Sequence, residues 1–286
     1  MKQPLTVIVP CKNERLNIRP CIESFYDIAD EVLIADSGSV DNTLAIAAEF
    51  DKVRIIQREY ITSGNFKNWA IPQAQNEWVL IVDADERITP ELSEEITLEL
   101  SRGPMKDGYW IYRDNHFMGH PLKWGDARND RVLRLFHRDR GRYEGPSDHG
   151  EVRVSTGKVG VLRNRMQHFS FWDYDQMFGK MHRYTTLQAQ QWREGGTKAS
   201  YYKMFVRPMW RFFREFILQG GILDGKPGLQ AAWISAFYSF NKQARLWALS
   251  HGMQQPDPEA NNFALESGRD SVSEHDETEV PFRRAA

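Results

Sequence analysis

The stretch VLIVDADERITPEL, residues 79–92, joins four aliphatic residues to a cluster of acids. A short apolar run of this kind predicts a buried β-strand. The segment Thr89-Pro90-Glu91 then matches a helix N-cap, a proline at the first helical position and an acid in the first turn. The sequence therefore predicts a strand that ends in the acidic cluster with Asp83 and Asp85, and a helix that begins directly after this cluster.

Strand and helix patterns alternate through the N-terminal third of the chain. Apolar runs predict strands at residues 5–10, 32–36, 53–56 and 78–83. Helical spacing predicts helices at residues 17–28, 41–50, 65–75 and 89–100. Because buried strands that alternate with helices are typical of a parallel sheet covered on both faces, we expect an α/β fold with a mostly parallel sheet flanked by helices.

The remainder of the chain has a different pattern. Residues 109–113 and 131–136 predict strands rich in aromatic residues and arginine, and residues 151–162 predict a hairpin that turns at 155–157. Long helical segments follow, at residues 173–193, 199–218 and 228–249. We therefore expect an α/β domain at 1–167, a helical region at 168–252 and a disordered acidic tail at 253–286.

Charge is distributed unevenly along the 286 residues, whose formal net charge is −2. Residues 168–252 hold eleven Lys and Arg against five Asp and Glu, a net of +6, and nineteen of the thirty-five aromatic residues. The tail at 253–286 carries a net of −5. The near-neutral total excludes a chain-wide attraction to nucleic acid, so no nucleic-acid partner is expected.

Cysteine content and hydropathy indicate the compartment. Cys11 and Cys21 form neither a disulfide framework nor a metal-finger pattern. The N-terminal apolar run has only five residues, so we expect no signal peptide, and no window approaches the roughly 18 apolar residues of a transmembrane helix. The sequence therefore predicts a cytoplasmic protein.

Polar residues follow the predicted strands at the point where each strand ends. They are Asn13, Glu14, Asp36, Ser37, Asp41, Asp83 and Asp85. Open α/β sheets bind ligands at this edge. If the backbone stays extended through Ala84, both aspartates around it point to the same side, and two such charges need a cation or a donor-rich ligand. A magnesium ion held by carboxylates and substrate phosphates fits this group of acids. A solvated strand end would explain an isolated Asp-x-Asp, but not acids at the ends of several strands.

Several segments resemble the signatures of a known family. TVIVPCKNE (6–14), VLIADSGSVDNT (32–43) and WVLIVDADERITPEL (78–92) resemble successive motifs of inverting glycosyltransferase family 2, which has the GT-A fold. Further segments resemble the bacterial lipopolysaccharide core β-1,4-glucosyltransferase group, namely DGYWIYRDNHFMG (107–119), RVLRLFHRDRGRYEG (131–145), GKVG (157–160) and ILDGKPGLQAAWISAFYSF (222–240). The resemblance covers about residues 4–250 and implies a nucleotide-sugar half at about 1–103 and an acceptor half at about 104–167.

The resemblance also implies an activity. The chain is expected to transfer a hexose, with glucose the family expectation, from a UDP-sugar to a lipid-linked saccharide such as lipopolysaccharide inner core. The expected cofactor is Mg²⁺ or Mn²⁺. The expected location is the inner face of the bacterial cytoplasmic membrane, as a peripheral protein.

The resemblance assigns roles to matching positions on the donor side. The expected nucleotide-binding residues are Pro10, Asn13, Glu14, Asp36, Ser37, Gly38, Lys67 and Asp83. Asp36 would contact the uracil base and Asp83 the ribose, and Asp85 would bind the metal that bridges the diphosphate. Lys67 is alternatively a solvated helix lysine.

The general base is less well defined by the resemblance. The family pattern has a His-Glu pair before GKVG, whereas this chain has Gly150 between His149 and Glu151. We favour Glu151 as the base because counting back from Gly157 places it at the acid position of the family pattern, and a carboxylate can accept the proton of the acceptor hydroxyl. Asp148 and Asp130 are alternatives.

Other charged residues near these acids have two interpretations each. Arg131 and Arg134 offset the charge of the diphosphate or form ion pairs within the strand. His149 orients the base or is an ordinary loop histidine.

The basic helical region suggests a surface for a partner. Four cations share one helical face, at Lys203, Arg207, Arg211 and Arg214. Aromatic residues fill much of the remainder, and Pro208 is expected to break or kink the helix. We expect either an interfacial helix on an anionic membrane surface or a helix packed on the α/β domain with a solvated basic side.

Two other functions fit parts of the pattern. A sugar-phosphate nucleotidyltransferase also surrounds a metal with carboxylates, but the first strand is followed by Pro-Cys-Lys-Asn-Glu rather than a glycine-rich loop. A catalytically silent membrane-binding module has no need for the carboxylates that this chain retains.

Overall fold

The computed structural model describes residues 2–144 and 150–252. Within these ranges the strands are β1 (Leu5–Cys11), β2 (Glu31–Asp36), β3 (Val53–Gln57), β4 (Trp78–Ile81), β5 (Glu86–Ile88), β6 (Gly108–Phe117), β7 (His120–Pro121), β8 (Arg131–His137), β9 (Gly141–Tyr143), β10 (Val152–Val154) and β11 (Val159–Phe169). The α-helices are α1 (Ile18–Phe25), α2 (Thr43–Ala47), α3 (Ser63–Ala70), α4 (Pro90–Arg102), α5 (Tyr174–Glu194), α6 (Arg207–Phe213) and α7 (Gly225–Ser250). The predicted acidic tail at 253–286 lies outside the described residues.

One mixed sheet organises the described α/β domain, in the order β3-β2-β1-β4-β8-β6-β11-β5, with β7 paired to β6. The first four strands are mutually parallel. Strand β8 is antiparallel to its two neighbours, β4 and β6. Strands β6 and β11 are parallel to each other, and β5 is antiparallel to β11. The predicted mostly parallel sheet is therefore confirmed for the N-terminal half, where the strand ends form a single rim.

Burial on both faces explains why the central strands are apolar throughout. Alternate residues of β1 enter different cores: Val7 and Val9 pack with α1 and α4, whereas Ile8 packs with α3 residues such as Phe66. All these side chains are almost fully buried. Since the strands are covered on both faces, the rim at their carboxyl ends is a rigid platform.

The predicted hairpin at 151–162 is wrong. The turn is present, with Gly157 at φ +67°. However, β10 pairs with β9, and β11 pairs with β6 and β5 instead of with β10. The strand pattern was correct, but partners far along the chain compete with the local one, and spacing alone does not decide between them.

The condition that the backbone stays extended through Ala84 is not met. Strand β4 ends at Ile81, and the chain turns so that Glu86 N–H donates to Asp83 O (2.8 Å). The Glu86 carboxylate accepts a hydrogen bond from Asp83 N–H (2.9 Å), which closes the turn from the other side. The two aspartates therefore have different neighbours, as described below.

The four cations expected on one face of the helical region lie in different environments. Helical structure continues through Pro208, with wider π-type turns at Tyr202–Val206 and Arg214–Leu218. Arg211 and Arg214 are half-buried in ion pairs with Asp126, whereas Arg207 is exposed. Many apolar side chains of the same region are exposed as well. Among the described residues, no helix is long and apolar enough to span a bilayer.

Candidate active site

The end of β2 holds a closed loop around Asp36. Its buried carboxylate accepts hydrogen bonds from the backbone of Gly38 (3.0 Å) and Ser39 (3.1 Å) and from Gln57 Nε2 (3.0 Å) at the end of β3. Burial alone would raise the pKa of Asp36, but the hydrogen bonds from Ser39, Gln57 and Gly38 outweigh it and lower the pKa. Gly38 has φ +93°, which favours glycine at this turn. The loop therefore holds an ionised carboxylate at the end of β2, with hydrogen bonds to both of its oxygens.

The end of β1 is tied to that loop. Asn13, with φ +56°, donates its backbone N–H to Ser39 Oγ (2.9 Å), and its side-chain oxygen accepts from Val40 N–H (2.8 Å). Ser37 N–H donates to the carbonyl of Cys11 (3.0 Å). The structure thus brings Asn13, Ser37 and the Asp36 loop together, as the sequence predicted.

Glu14 lies between this loop and the next acids along the rim. Its carboxylate accepts from Asn17 Nδ2 (2.8 Å). Burial raises its pKa, and the nearby negative charge of Asp85 adds to that effect. Pro10 is half-buried in the same strand end. Acids from β1 and from the segment after β4 therefore lie within electrostatic reach of one another.

Asp83 is held between two cations. Lys67 Nζ, from α3, lies 2.8 Å from Asp83 Oδ1, and Arg134, from β8, pairs with the other oxygen. Burial opposes ionisation of Asp83, but Arg134 and Lys67 lower its pKa far below its usual range. Arg134 also binds Glu86 (2.8 Å). Lys67 is buried and ion-paired, which contradicts the alternative of a solvated helix lysine.

Asp85 faces a different set of groups. His168 Nε2, from β11, is 3.8 Å from Asp85 Oδ1, and Lys180 Nζ, from α5, is 3.6 Å from Oδ2. The backbone carbonyl of Asp85 accepts from Phe169 N–H (2.8 Å). The metal ligand expected from the sequence therefore lies beside a histidine that the sequence analysis did not single out.

A hydrogen-bond chain sets the protonation of His168. Asn115 Nδ2 donates to Asp130 (2.8 Å), so the Asn115 side-chain oxygen faces His168 Nδ1 (2.6 Å). Because an amide oxygen only accepts, Nδ1 carries a proton in this contact, and Nε2 is the ring nitrogen that faces Asp85. With its proton on Nδ1, a neutral imidazole ring ligates a metal through Nε2.

Asp130 is committed to an ion pair. Arg113 binds it through two nitrogens, at 3.0 and 2.9 Å, and also contacts Glu86 (3.5 Å). Burial alone would raise the pKa of Asp130, but the Arg113 hydrogen bonds and charge lower it. A carboxylate with a lowered pKa is a weak proton acceptor.

The β9–β10 hairpin approaches the donor side from above Lys67. The Lys67 ammonium lies 5.3 Å from the ring centroid of Tyr143, whose hydroxyl contacts Arg134 (3.2 Å). Glu144 N–H donates to the carbonyl of Glu151 (3.1 Å), and Glu151 is exposed. The candidates Asp148 and His149 lie outside the described residues.

The two predicted arginines separate in the structure. Arg131 is exposed, with its guanidinium 5.1 Å from the Trp110 ring centroid, whereas Arg134 is buried in the ion pairs with Asp83 and Glu86. Glu86 is fully buried at the centre of the charge network.

Sequence reasoning missed five residues of this site: Glu86, Arg113, Asn115, His168 and Lys180. Glu86 was visible as the third acid of its cluster, and a third acid beside two basic strands is a signal for a buried ion pair. The sequence around the other four residues gave no indication that they belong to the site. They lie on β6, β11 and α5, far along the chain from the acids that they approach, namely Arg113, Asn115, His168 and Lys180.

Comparison with known proteins identifies the family of this chain. The model for glycosyl transferase family 2 matches residues 6–166, which is more than half of the chain. The chain belongs to glycosyl transferase family 2 and is a glycosyltransferase. The expected GT-A fold, with a sheet flanked by helices and a helical C-terminal region, is confirmed.

One relative is the lipopolysaccharide core biosynthesis glycosyltransferase LpsC of Rhizobium meliloti (strain 1021), 30% identical over 251 residues, or 86% of this chain and 93% of the relative. S. aureus TarS in complex with UDP-GlcNAc is 16% identical, with 87% of this chain and 92% of that chain covered and a TM-score of 0.47. Glucosyl-3-phosphoglycerate synthase from Mycobacterium tuberculosis, in complex with Mn²⁺, UDP and glucosyl-3-phosphoglycerate, is 16% identical, with 69% and 82% covered and a TM-score of 0.46. Both TM-scores are below 0.5, so neither structure carries weight for the substrate.

Proposed function

We propose that this glycosyltransferase moves a hexose, with glucose as the expected sugar, from a UDP-sugar to a lipid-linked saccharide such as lipopolysaccharide inner core, with inversion. The observation that supports it most is the rim itself, where Asp36, Asp83 and Asp85 lie at adjoining strand ends with different partners. Each partner set suits a different part of a nucleotide sugar. The relationship to the R. meliloti enzyme supports the acceptor class.

The donor would lie along the rim. The ionised Asp36 accepts hydrogen bonds, which suits the N–H group of a uracil base. Asp83 would accept from ribose hydroxyls, with its charge already offset by Lys67 and Arg134. This arrangement lets Asp83 approach a nucleotide without adding an unbalanced negative charge next to the diphosphate.

The metal would be held by Asp85 and His168. No group of three or more Asp, Glu, His or Cys side chains suited to a metal occurs in residues 2–144 and 150–252. The two ligands nevertheless fit Mg²⁺ or Mn²⁺, because such ions are usually completed by substrate phosphates and water. Ligation through Nε2 of His168 would favour Mn²⁺, since imidazole is a poor ligand for Mg²⁺. A bound cation would offset the charge that develops on the leaving diphosphate.

The chain's own residues would perform the remaining steps. Lys180, 3.6 Å from Asp85, supplies a further positive charge where the diphosphate would lie. Glu151 is the proposed base, since the hairpin that carries it is anchored to the donor side through Tyr143. Asp130 is proposed as a positioning residue, because its ion pair with Arg113 makes it a weak base.

A screen of nucleotide sugars tests the proposal. UDP binding is measured by calorimetry with and without Mn²⁺, and UDP release from UDP-glucose is measured with a bacterial lipid extract as acceptor. Glu151→Gln is expected to bind UDP like the wild type but to lose transfer. Full transfer by Glu151→Gln would remove Glu151 as the base, and failure of the wild type to bind UDP would remove the donor.

The C-terminal helices support a second part of the proposal, docking on an anionic membrane. The outer apolar face comprises exposed side chains at helical spacing on two segments, namely Tyr202, Val206, Met209, Phe213, Ile217, Leu229, Trp233 and Phe237. Exposed cations lie in the same region at Lys198, Arg207 and Lys226. Large exposed apolar patches mark interaction sites, and aromatic side chains beside cations suit the boundary of an anionic bilayer.

Vesicle co-sedimentation tests the docking. Wild-type protein should bind phosphatidylcholine vesicles only when phosphatidylglycerol is included. Phe213→Ser should lower binding about tenfold, since burial of such a side chain contributes about 1.5–3 kcal/mol. Leu98→Ser, at an exposed leucine of α4, is the matched control and should have no effect. Self-association without vesicle binding would indicate a second copy of the chain and contradict the membrane.

A further inference from the structure

A cavity of about 580 Å³ lies between the sheet and the C-terminal helices. Its walls come from β6, from the segment 124–130 before β8, from α5, and from the inner side of α7. The volume is within the range of about 300–1,000 Å³ that is typical of small-molecule sites. No part of it belongs to the donor rim built from β1 and β2.

One end of the cavity reaches the metal-binding pair. Asn115, Asp130 and Lys180 all line it. Lys180 Nζ is 3.6 Å from Asp85, and Asn115 holds the His168 ring that faces the same carboxylate. A molecule in the cavity would therefore end where the anomeric carbon of a bound donor is expected.

The other end carries carboxylates. Asp126 and Glu215 line the cavity, and Glu215 accepts a hydrogen bond from Ser235 Oγ (2.8 Å). Arg211 lies 2.7 Å from Glu215, and Arg214 lies 2.8 Å from Asp126, so the charges are balanced. Burial raises the pKa of Glu215 to about 7, and Asp126 adds to the shift. Such a cluster offers both acceptors and donors to hydroxyl groups.

Apolar side chains and aromatic rings form another part of the cavity wall. Phe171, Tyr184 and Tyr238 line it together with Met177 and Met181. Sugar rings have apolar faces and polar edges, so they match a pocket with rings along its walls and polar groups at its ends. An acyl chain would instead displace water from these polar groups without offering them any hydrogen-bonding group of its own.

We propose that this cavity binds the saccharide of the acceptor, with the reacting hydroxyl beside Asp85 and a neighbouring sugar read by Asp126 and Glu215. The assignment rests on the proposed transferase function, which it deepens by locating the acceptor. It separates two roles of the helical region: the outer apolar face meets lipid, and the inner side of α7 selects the sugar.

Filling the cavity is the direct test. Ala231→Phe places a ring inside it from α7, whereas Ala244→Phe is made at a half-buried alanine of the same helix that does not line the cavity. With deacylated lipopolysaccharide core oligosaccharide as the acceptor, Ala231→Phe should raise its KM about tenfold or more. UDP-glucose hydrolysis in the absence of acceptor should stay within about twofold of wild type for both variants.

A milder variant covers the case in which Ala231→Phe does not fold. Tyr238→Phe removes only a hydroxyl from the cavity wall and should raise the oligosaccharide KM about threefold to tenfold, the effect of one lost hydrogen bond. Its UDP-glucose hydrolysis should be unchanged.

Oligosaccharide binding measured by calorimetry without nucleotide separates this proposal from the donor chemistry. Loss of that binding in Ala231→Phe but not in Ala244→Phe supports the cavity. Wild-type binding that Ala231→Phe retains, or no wild-type binding, overturns it, as does binding of intact glycolipid but not oligosaccharide. Failure of UDP to bind or of UDP-glucose to react contradicts the proposed function instead.

Discussion

The proposed donor rim and the proposed acceptor cavity are built in different ways. At the rim, acids follow consecutive parallel strands, and Asp36 is held mainly by its own loop. Around the cavity, the paired charges come from distant segments: Asp126 precedes β8, whereas Arg214 follows α6. The comparison teaches that strand ends place ligand groups locally, while the acceptor side depends on how the helices pack on the sheet.

The largest expected effect is at Asp85, the carboxylate proposed to bind the metal. Asp85→Asn removes the charged ligand and should lower transfer by about 10³-fold or more while the protein stays folded. UDP-glucose turnover with added Mn²⁺ measures it. Asp139→Asn, at an exposed acid paired with Arg138, is the control and should keep full activity. Equal turnover by Asp85→Asn with and without metal would remove the cation from the mechanism.

The next effect is on stability and tests whether the rim depends on its buried charges. Arg134→Leu leaves Asp83 and Glu86 without their shared partner and should lower the free energy of unfolding by about 3–5 kcal/mol. Arg153 forms an exposed ion pair with Glu144, so Arg153→Leu should lower the free energy of unfolding by at most about 1 kcal/mol. Urea denaturation compares the two variants, and equal losses would contradict a structural role for the buried network.

A smaller effect should connect the two regions. Asn115→Leu removes the acceptor that fixes the His168 tautomer, so the affinity for Mn²⁺ in the presence of UDP should fall about 10–100-fold. Paramagnetic resonance titration of free Mn²⁺ measures it. Asn164→Leu, in the same sheet but bonded to Glu95, should leave the metal affinity unchanged. A wild-type affinity in Asn115→Leu would contradict the proposed ligand pair.

The smallest effect concerns pH and the cavity. Because burial raises the pKa of Glu215 to about 7, the native state retains its proton above the unfolded value. The resulting stabilisation is complete below about pH 4.5 and is lost as the pH rises to about 7, by about 1–3 kcal/mol relative to Glu215→Gln. Unfolding measured at several pH values tests this. A constant difference between the two proteins would contradict the raised pKa.

Strand and helix patterns predicted most elements of the α/β domain because burial imposes a period on each element. The Thr89 N-cap is present, with its side chain accepting from Leu92 N–H (3.2 Å). The partners of each strand were less predictable: β10 was expected beside β11 and lies beside β9. Pairing depends on the whole sheet, and a short turn at Gly157 does not impose it.

The site followed the same division. Asp36 and Asp85 were expected at one rim, and Glu14 lies in electrostatic reach of Asp85 there. His168 was not expected, because it is far from Asp85 in sequence and reaches it only through the β11–β5 pairing. Arg211 was expected to face solvent or a membrane, but it pairs with Asp126 of the α/β domain. Helical spacing shows which residues share a face but not which face meets the domain.

The sequence by itself determined the family, the buried strands and the acids that follow them, because these depend on residue type and short-range period. Only the tertiary structure decided how the charges are paired: Asp83 with Lys67 and Arg134, and Asp85 with His168 and Lys180. The physical reason is that a buried charge is stable only beside a partner, and such partners come from elements that meet after the chain has folded.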